Sequence, residues 1–212
     1  MTATVESTTT SDQIFATPAD EARLERVATA LTANGFTVHL ADDVAAARRL
    51  VLALIPEGAE VSQGASQTLL ESGVTADLEG GRFEALRPKL RAMDRATQAR
   101  EIRKLGAAPD VMVGSVSAIT ENGWLVAASA SGSQLGPYAS GAGQLVLVVG
   151  SQKVVPDLAT AFERIEKHVF PLEDARMQSA YGMGSRLNKL LVMRGDFPGR
   201  TTVVLVREAV GF

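Results

Sequence analysis

The apolar positions of the chain fall into alternating helical and extended stretches. Leu24, Val27, Ala28 and Leu31 recur at helical spacing between Thr17-Pro18-Ala19-Asp20 and Asn34-Gly35. A cap at Thr17, a proline at the first helical position and an acid in the first turn predict where that helix starts; Asn-Gly predicts where it stops. Phe36 to Leu40 reads as a short strand. Asp42 or Asp43 can then cap a second helix carrying Val44, Ala47, Val51 and Leu54, halted at Pro56. Residues 59–70 read as an extended piece, a small-residue turn and a helix. Residues 82–104 read as one charge-rich helical segment with Leu86, Leu90, Met93 and Ile102 as its apolar positions, followed by a loop at Gly106 to Pro109.

The second half continues the alternation. Asp110 to Gly114 is expected as a buried strand, Ser117 to Gly123 as a polar turn and Trp124 to Ala128 as a further strand. Ser129 to Gly143 is dominated by Gly, Ser and Ala, which predicts a flexible loop or a close approach of backbone to ligand. Gln144 to Gly150 is continuously apolar, the pattern of a strand covered on both faces. Gln152 to Asp157 leads into a helix with Leu158, Ala161, Phe162, Ile165 and Val169 on one face. Lys189 to Met193 and Thr202 to Val206 flank Arg194 to Arg200 and are expected as a β-hairpin. No internal repeat is present.

Composition narrows the chemistry. The 212 residues suffice for one domain of ordinary size with a real core. Residues 1–14, rich in Ser and Thr, are expected as a disordered lead and 15–212 as a single domain. The lead has neither the basic region nor the apolar core of a signal peptide, and no stretch reaches the roughly 18 apolar residues of a membrane span. A soluble, cytoplasmic protein that engages no membrane is expected. Zero cysteines exclude disulfides, a thiol nucleophile, thiolate zinc sites and iron–sulfur ligation by this chain. Two histidines allow at most one histidine-based site.

The net charge of −3 argues against a generic nucleic-acid binder, but it averages over unlike segments. Residues 1–81 carry 4 basic and 12 acidic groups, residues 82–104 carry 8 and 3, and the remainder 9 and 9. The basic segment can face an anionic ligand or partner, or simply solvent. No aromatic residue interrupts its C-terminal half to stack on bases, so no nucleic-acid partner is expected.

Few residues carry chemistry. The turn at Gly64 to Thr68 can gather backbone N–H groups and hydroxyls around an anion, while Ser66 can equally cap the following helix. Glu121, in a turn and not on a charged helix, is the candidate acid–base or nucleophilic carboxylate; otherwise it accepts local backbone N–H groups, as the adjoining Asn122-Gly123 favours. Lys153 can hold a carboxylate or phosphate as a point charge, or lie on the surface between strand and helix. Asp157 is read as a helix cap, His39 and His168 as polar edge residues, and Tyr138 as able to cover a pocket. Neither a nucleophile elbow nor a phosphate loop or dinucleotide fingerprint is present.

Three blocks, Gly64 to Leu69, Ser117 to Val126 and Val148 to Leu158, resemble successive blocks of the LUD domain family, which includes the lactate utilisation protein C type. The ending Val203 to Phe212 is similar to that of short stand-alone members, and the resemblance covers roughly residues 20–212. Gln152 stands where an asparagine is commoner, and the segment after Ser131-Gly132 lacks an arginine the pattern would carry. The resemblance implies a three-layer α/β fold like that of glucosamine-6-phosphate isomerase, ribose-5-phosphate isomerase and the CoA transferases, with a largely parallel central sheet and helices on both faces. It further implies ligands beyond the carboxyl ends of the strands, where the turns Gly64 to Thr68 and Thr120 to Gly123 are expected to meet. The expected ligand-binding residues are thus Gly64, Ser66, Thr68, Thr120, Gly123 and Lys153, with Glu121 as the catalytic candidate and no metal or cofactor.

The favoured expectation is an accessory component of L-lactate or related organic-acid utilisation that binds a small anionic metabolite or an iron–sulfur oxidoreductase subunit. The sparseness of acid–base and redox groups supports it. The alternatives are an isomerase or CoA-transferase-like enzyme using Glu121 and Lys153, and a metabolite-responsive regulator; self-association to a homo-oligomer is compatible with each.

Overall fold

The computed structural model describes residues 14–212, so the expected lead falls, but for Ile14, outside the described residues. Helix α1 spans Glu21–Ala33, and its cap is Asp20, whose carboxylate accepts the Arg23 N–H at 2.8 Å. The start is therefore set by Asp20 and not, as expected, by Thr17 and Pro18. The stop at Asn34-Gly35 is as expected: the Asn34 N–H reaches the carbonyls of Ala30 and Leu31, and Gly35 takes a left-handed φ of 90°. Strand β1 (Thr37–Ala41) follows, then helix α2 (Val44–Leu54), capped by Asp43 through the Ala46 N–H at 2.6 Å. Ile55, extended ahead of Pro56, ends it.

Strand β2 (Glu60–Gln63) leads into two short helices, α3 (Gln67–Glu71) and α4 (Val74–Leu78). After the two-residue strand β3 (Glu84–Ala85), the basic segment forms two helices, α5 (Leu86–Ala92) and α6 (Ala99–Ala107), where one was expected. Asp94 causes the break. Its carboxylate accepts the Ala96 N–H at 2.9 Å and the Thr97 hydroxyl at 2.7 Å, competing with helical bonding. Strand β4 (Val111–Gly114) is buried throughout.

The expected polar turn at Ser117 to Gly123 is in part a strand, β5 (Ala118–Thr120), whose three residues are all buried. The tight turn is confined to residues after Thr120. Strand β6 (Leu125–Ser129) follows, and the Gly-rich segment contains a wide helical turn at Pro137–Gly141 before β7 (Gln144–Gly150). Strand β8 (Val154–Val155), helix α7 (Leu158–Arg164), a second wide turn at Ile165–Val169, helix α8 (Phe170–Tyr181) and strands β9 (Lys189–Met193) and β10 (Thr201–Val206) complete the chain.

The central sheet has six strands in the order β1-β10-β7-β4-β2-β3, all parallel. Its middle strands explain the continuous apolar runs. Leu145, Leu147 and Val149 of β7 pack with Leu24, Val27 and Leu31 of α1 on one face, and Val146 and Val148 pack with Val51, Leu69 and Val74 on the other. A second sheet of four strands, β8-β5-β6-β9, lies over the α1 face. Its Ala118, Val126 and Val155 pack beneath Ala161 of α7 in a third core.

The expected β-hairpin at the end of the chain does not form. Strand β9 pairs antiparallel with β6 in the small sheet, whereas β10 lies between β1 and β7 in the large one, so residues 194–200 cross from sheet to sheet. Asp196 holds the crossing: its carboxylate accepts from Arg200 at 2.7 Å, from the Thr201 hydroxyl and from the Phe197 N–H at 2.8 Å, while its own N–H donates to Asn34 O at 3.1 Å. Burial opposes ionisation there, but the hydrogen bonds from Thr201 and Arg200 outweigh it and hold the Asp196 carboxyl below the usual range. A depressed folded-state pKa stabilises above the unfolded value of roughly 3.9 and is lost as pH falls through the folded value. Asp196→Asn should cost about 1 kcal/mol at neutral pH and flatten the acid limb of a stability-versus-pH curve below about pH 4. Parallel acid limbs in denaturant titrations of both proteins would contradict this.

Candidate functional site

Three of the segments that leave the carboxyl ends of central strands converge. Gly64 to Thr68 follow β2, Ser115 to Ser117 follow β4, and Lys153 follows β7; together they floor a cavity of about 430 Å³. Ser129 to Gln134 and Tyr138 form one side. The other side is apolar, with Ile165 and Val169 from the second wide turn and Phe170, Met177 and Tyr181 from α8. Arg95, Arg176 and Arg186 approach from three different parts of the chain.

The floor is tied by hydrogen bonds. Lys153, 1% exposed, donates from Nζ to the hydroxyls of Thr68 at 2.8 Å and Ser115 at 3.1 Å and to the Val116 carbonyl at 3.3 Å. No carboxylate lies within ion-pair distance of it among the described residues. Burial, with the nearby charge of Arg164, pushes the Lys153 ammonium well below its ordinary pKa, against a weaker opposing pull from Glu71. Arg164, fully buried, donates to Ser117 O at 2.6 Å and Phe15 O at 3.3 Å and keeps an unpartnered Nε; burial pushes it down to about 10. Two buried basic groups, Lys153 on the cavity floor and Arg164 bonded to Ser117 O, thus have no carboxylate ion-paired to either among the described residues. Arg176 is paired to Glu173 at 2.7 Å, but Arg95 and Arg186 make no ion pair among the described residues.

Tyr138 lies against the end of β4, buried, its hydroxyl donating to Ser115 O and accepting from Ser115 N, both at 3.1 Å. A Cβ on Gly114 would stand 1.7 Å from that hydroxyl, so only glycine leaves room for the ring. The close backbone approach here is thus made by β4, to an aromatic side chain that the Gly-rich segment supplies. Ser66 caps α3, accepting the Leu69 N–H at 3.3 Å. Ser66→Ala should cost about 1 kcal/mol in chemical denaturation; no loss would mean that the cap is idle. Gln152, in place of the commoner asparagine, reaches the carbonyls of Val210 at 3.1 Å and Gly211 at 3.0 Å and so fixes the chain end beside Thr68.

The second expected turn lies elsewhere. Lys153 immediately precedes β8, near the start of β5, whereas Glu121 follows the last residue of β5, at the other end of the small sheet. Neither Thr120, Glu121 nor Gly123 lines the cavity. Glu121 accepts Arg23 Nε of α1 at 2.7 Å, not the local backbone N–H groups that a turn carboxylate was expected to take. Thr120 is buried, its Oγ1 accepting the Trp124 N–H at 3.0 Å and donating to Asn122. Trp124 is stacked by Arg194, 4.4 Å from the ring centre. Asp157 caps α7, its carboxylate taking the Thr160 N–H at 2.8 Å, and His168 is buried with its ring 6.2 Å from that of Phe15. Among the described residues no three His, Asp or Glu side chains converge as a metal site would require, and no helix is long and apolar enough to cross a membrane.

Sequence reasoning thus placed Gly64, Ser66, Thr68 and Lys153, which the structure brings together, read Tyr138 as able to cover a pocket, which it lines, and missed Ser115, Arg95, Arg176 and Arg186. Arg95 lay inside the basic segment and had that signal; the other two arginines had none.

A parallel sheet covered on both faces, with a cavity built from the segments after β2, β4 and β7, defines an α/β protein of the class that holds ligands at the carboxyl edge. The LUD domain family model matches residues 24–206, and the chain belongs to that family. It is similar in fold to a crystal structure of a DUF162 family protein from Deinococcus radiodurans, with 12% identity, a TM-score of 0.51 and coverage of 89% of this chain and 99% of that one. No curated protein matches the chain.

Proposed function

We propose that this LUD-domain protein binds a small anionic organic metabolite in the cavity at the carboxyl ends of its central strands, as a component of lactate or related organic-acid utilisation. The observation that carries the reading is Lys153, a buried basic group on the cavity floor with no carboxylate paired to it among the described residues. A desolvated basic floor stabilises an entering carboxylate or phosphate, and Arg95 and Arg186, without ion pairs among the described residues, add positive potential. The apolar side formed by Val169, Phe170 and Met177 suits the carbon skeleton of such a ligand. The pathway assignment rests on the resemblance to the lactate utilisation protein C type, and the iron–sulfur partner subunits it implies would carry any electron transfer, since this chain has no cysteine. An enzyme pairing Glu121 with Lys153 is not favoured, because Glu121 is outside the cavity and held by Arg23.

Thermal-shift and calorimetric titration with L-lactate and longer 2-hydroxy acids, phosphorylated sugars and CoA esters tests the reading. At about 100 times Kd a bound anion stabilises by roughly 2.7 kcal/mol, a rise of about 5 °C or more for a chain of this size. Saturable binding of at least one anionic class, absent with its neutral amide or ester, is expected. Titrations flat for all three classes would overturn it.

A further inference from the structure

We propose that Lys153 is a nucleophilic amine that forms a reversible imine with an α-oxo carboxylate bearing an apolar side chain. The proposal rests on the reading of the cavity as an anion site and adds a covalent step to it.

Its geometric basis is the set of atoms around Nζ. Lys153 touches two hydroxyls, Thr68 and Ser115, and one carbonyl, Val116. A carboxylate neighbour would hold the group as an ammonium. This set does not, because an uncharged amine can donate to the Val116 carbonyl and one hydroxyl while the other hydroxyl donates to the nitrogen lone pair. The surroundings favour the uncharged form: the side chain is buried, and the neighbouring charge of Arg164 is of the same sign. Lys153 is nonetheless one of the residues that line the cavity. Arg95 and Arg186, which have no acidic partner among the described residues, can take the carboxylate of a ligand whose carbonyl carbon approaches Nζ, and Ile165, Val169 and Phe170 can receive its side chain.

The step balances. The lone pair of Nζ attacks the carbonyl carbon, forming a C–N bond; an amine proton passes, by way of the Thr68 or Ser115 hydroxyl, to the former carbonyl oxygen to give a carbinolamine. The remaining N–H proton passes through the same hydroxyls to the carbinolamine hydroxyl, which leaves as water and gives the neutral imine; addition of water reverses it. No oxidant or reductant is consumed. The anion holds the reacting carbon at the amine, so the site favours an α-oxo acid over a neutral ketone of the same size.

The remaining lysines, Lys89, Lys104, Lys167 and Lys189, are all exposed and serve as internal controls. Incubation of the whole wild-type chain with pyruvate or 4-methyl-2-oxopentanoate and cyanoborohydride at pH 7.5, followed by peptide mapping, reads the imine as a reduced secondary amine. An exposed lysine is only about 0.1% unprotonated at that pH, so label at Lys153 should exceed that at each exposed lysine at least about tenfold. The longer oxo acid should label at a lower concentration than pyruvate, and the corresponding 2-hydroxy acid, which has no carbonyl, should compete. Label spread evenly over the lysines, or none at Lys153, overturns the imine. If the 2-hydroxy acid still binds calorimetrically in that case, the anion site stands without the covalent step; if nothing binds and nothing labels, both fail.

Discussion

Lys153→Met should weaken anion binding about 10- to 100-fold while leaving the melting temperature of the unliganded protein unchanged or higher. The size of the binding loss is that of a charge-assisted hydrogen bond formed in the complex, where an entering anion favours the protonated amine. The direction of the stability effect follows from what surrounds the lysine. Its partners are two hydroxyls and a carbonyl, so removing the amine strands no buried carboxylate. The Thr68 hydroxyl also reaches Val210 O at 3.3 Å, and Ser115 Oγ reaches Val116 O at 3.4 Å, so both hydroxyls keep a partner. Methionine fills a similar volume without a polar group to desolvate, and exchange of a buried ionisable group for a well-packed apolar chain is often neutral or stabilising. Calorimetric titration and a thermal melt of the two proteins measure the pair of quantities. A variant that binds normally, or one that loses several kcal/mol without ligand, would show that Lys153 is there to hold the floor together.

Gly123→Ala should destabilise the fold by about 3 kcal/mol and leave ligand affinity of the folded fraction intact. Gly123 takes a left-handed φ of 77°, and a Cβ there would lie 2.7 Å from the Ala30 carbonyl carbon and from the Leu31 nitrogen of α1. Both obstacles are backbone in a fully packed helix, so neither can give way cheaply. The turn is further locked by Asn34, whose side-chain amide donates to Asn122 O at 2.9 Å and Gly123 O at 3.1 Å. Urea denaturation gives the stability and calorimetry the affinity. Unchanged stability with lost affinity would instead make Gly123 the binding residue that the family resemblance implied.

The contrast between these two residues shows which features the sequence made legible. Local signals were readable: the Asn34-Gly35 stop, the Asp43 cap and the unbroken apolar run of β7 each depend on a few adjacent residues. So was the cluster of small and hydroxylic residues from Gly64 to Thr68. The hairpin expectation failed because apolar alternation identifies a strand but not its partner, and the partner choice of β9 and β10 is made by Asp196, Arg200 and Asn34 across the chain. Ser117 to Gly123 looked polar because its hydroxyls are prominent, yet Ser117 and Thr120 are buried and satisfied by backbone groups on β6 and the following turn. Arg176 and Arg186 were illegible for a simpler reason. Nothing in their neighbourhoods of sequence distinguishes an arginine at a cavity from one in water.

The two sides of the cavity are built to different standards. Its floor consists of segments that follow strand ends, together with the start of α3, all anchored in the cores, so a change at Thr68 or Ser115 is felt by the sheet. Its roof is α8, none of whose residues is buried, reached through the wide turn at Ile165–Val169. Side chains such as Met177 and Tyr181 therefore have little folding work to perform, and their replacement reshapes the space above Lys153 with small effect on stability. Evolutionary drift has a ready outlet here: descendants of one ancestral chain can exchange roof residues to admit different skeletons while the amine and hydroxyls below stay in place. Diversity of ligands within one scaffold is the expected legacy of that division of labour.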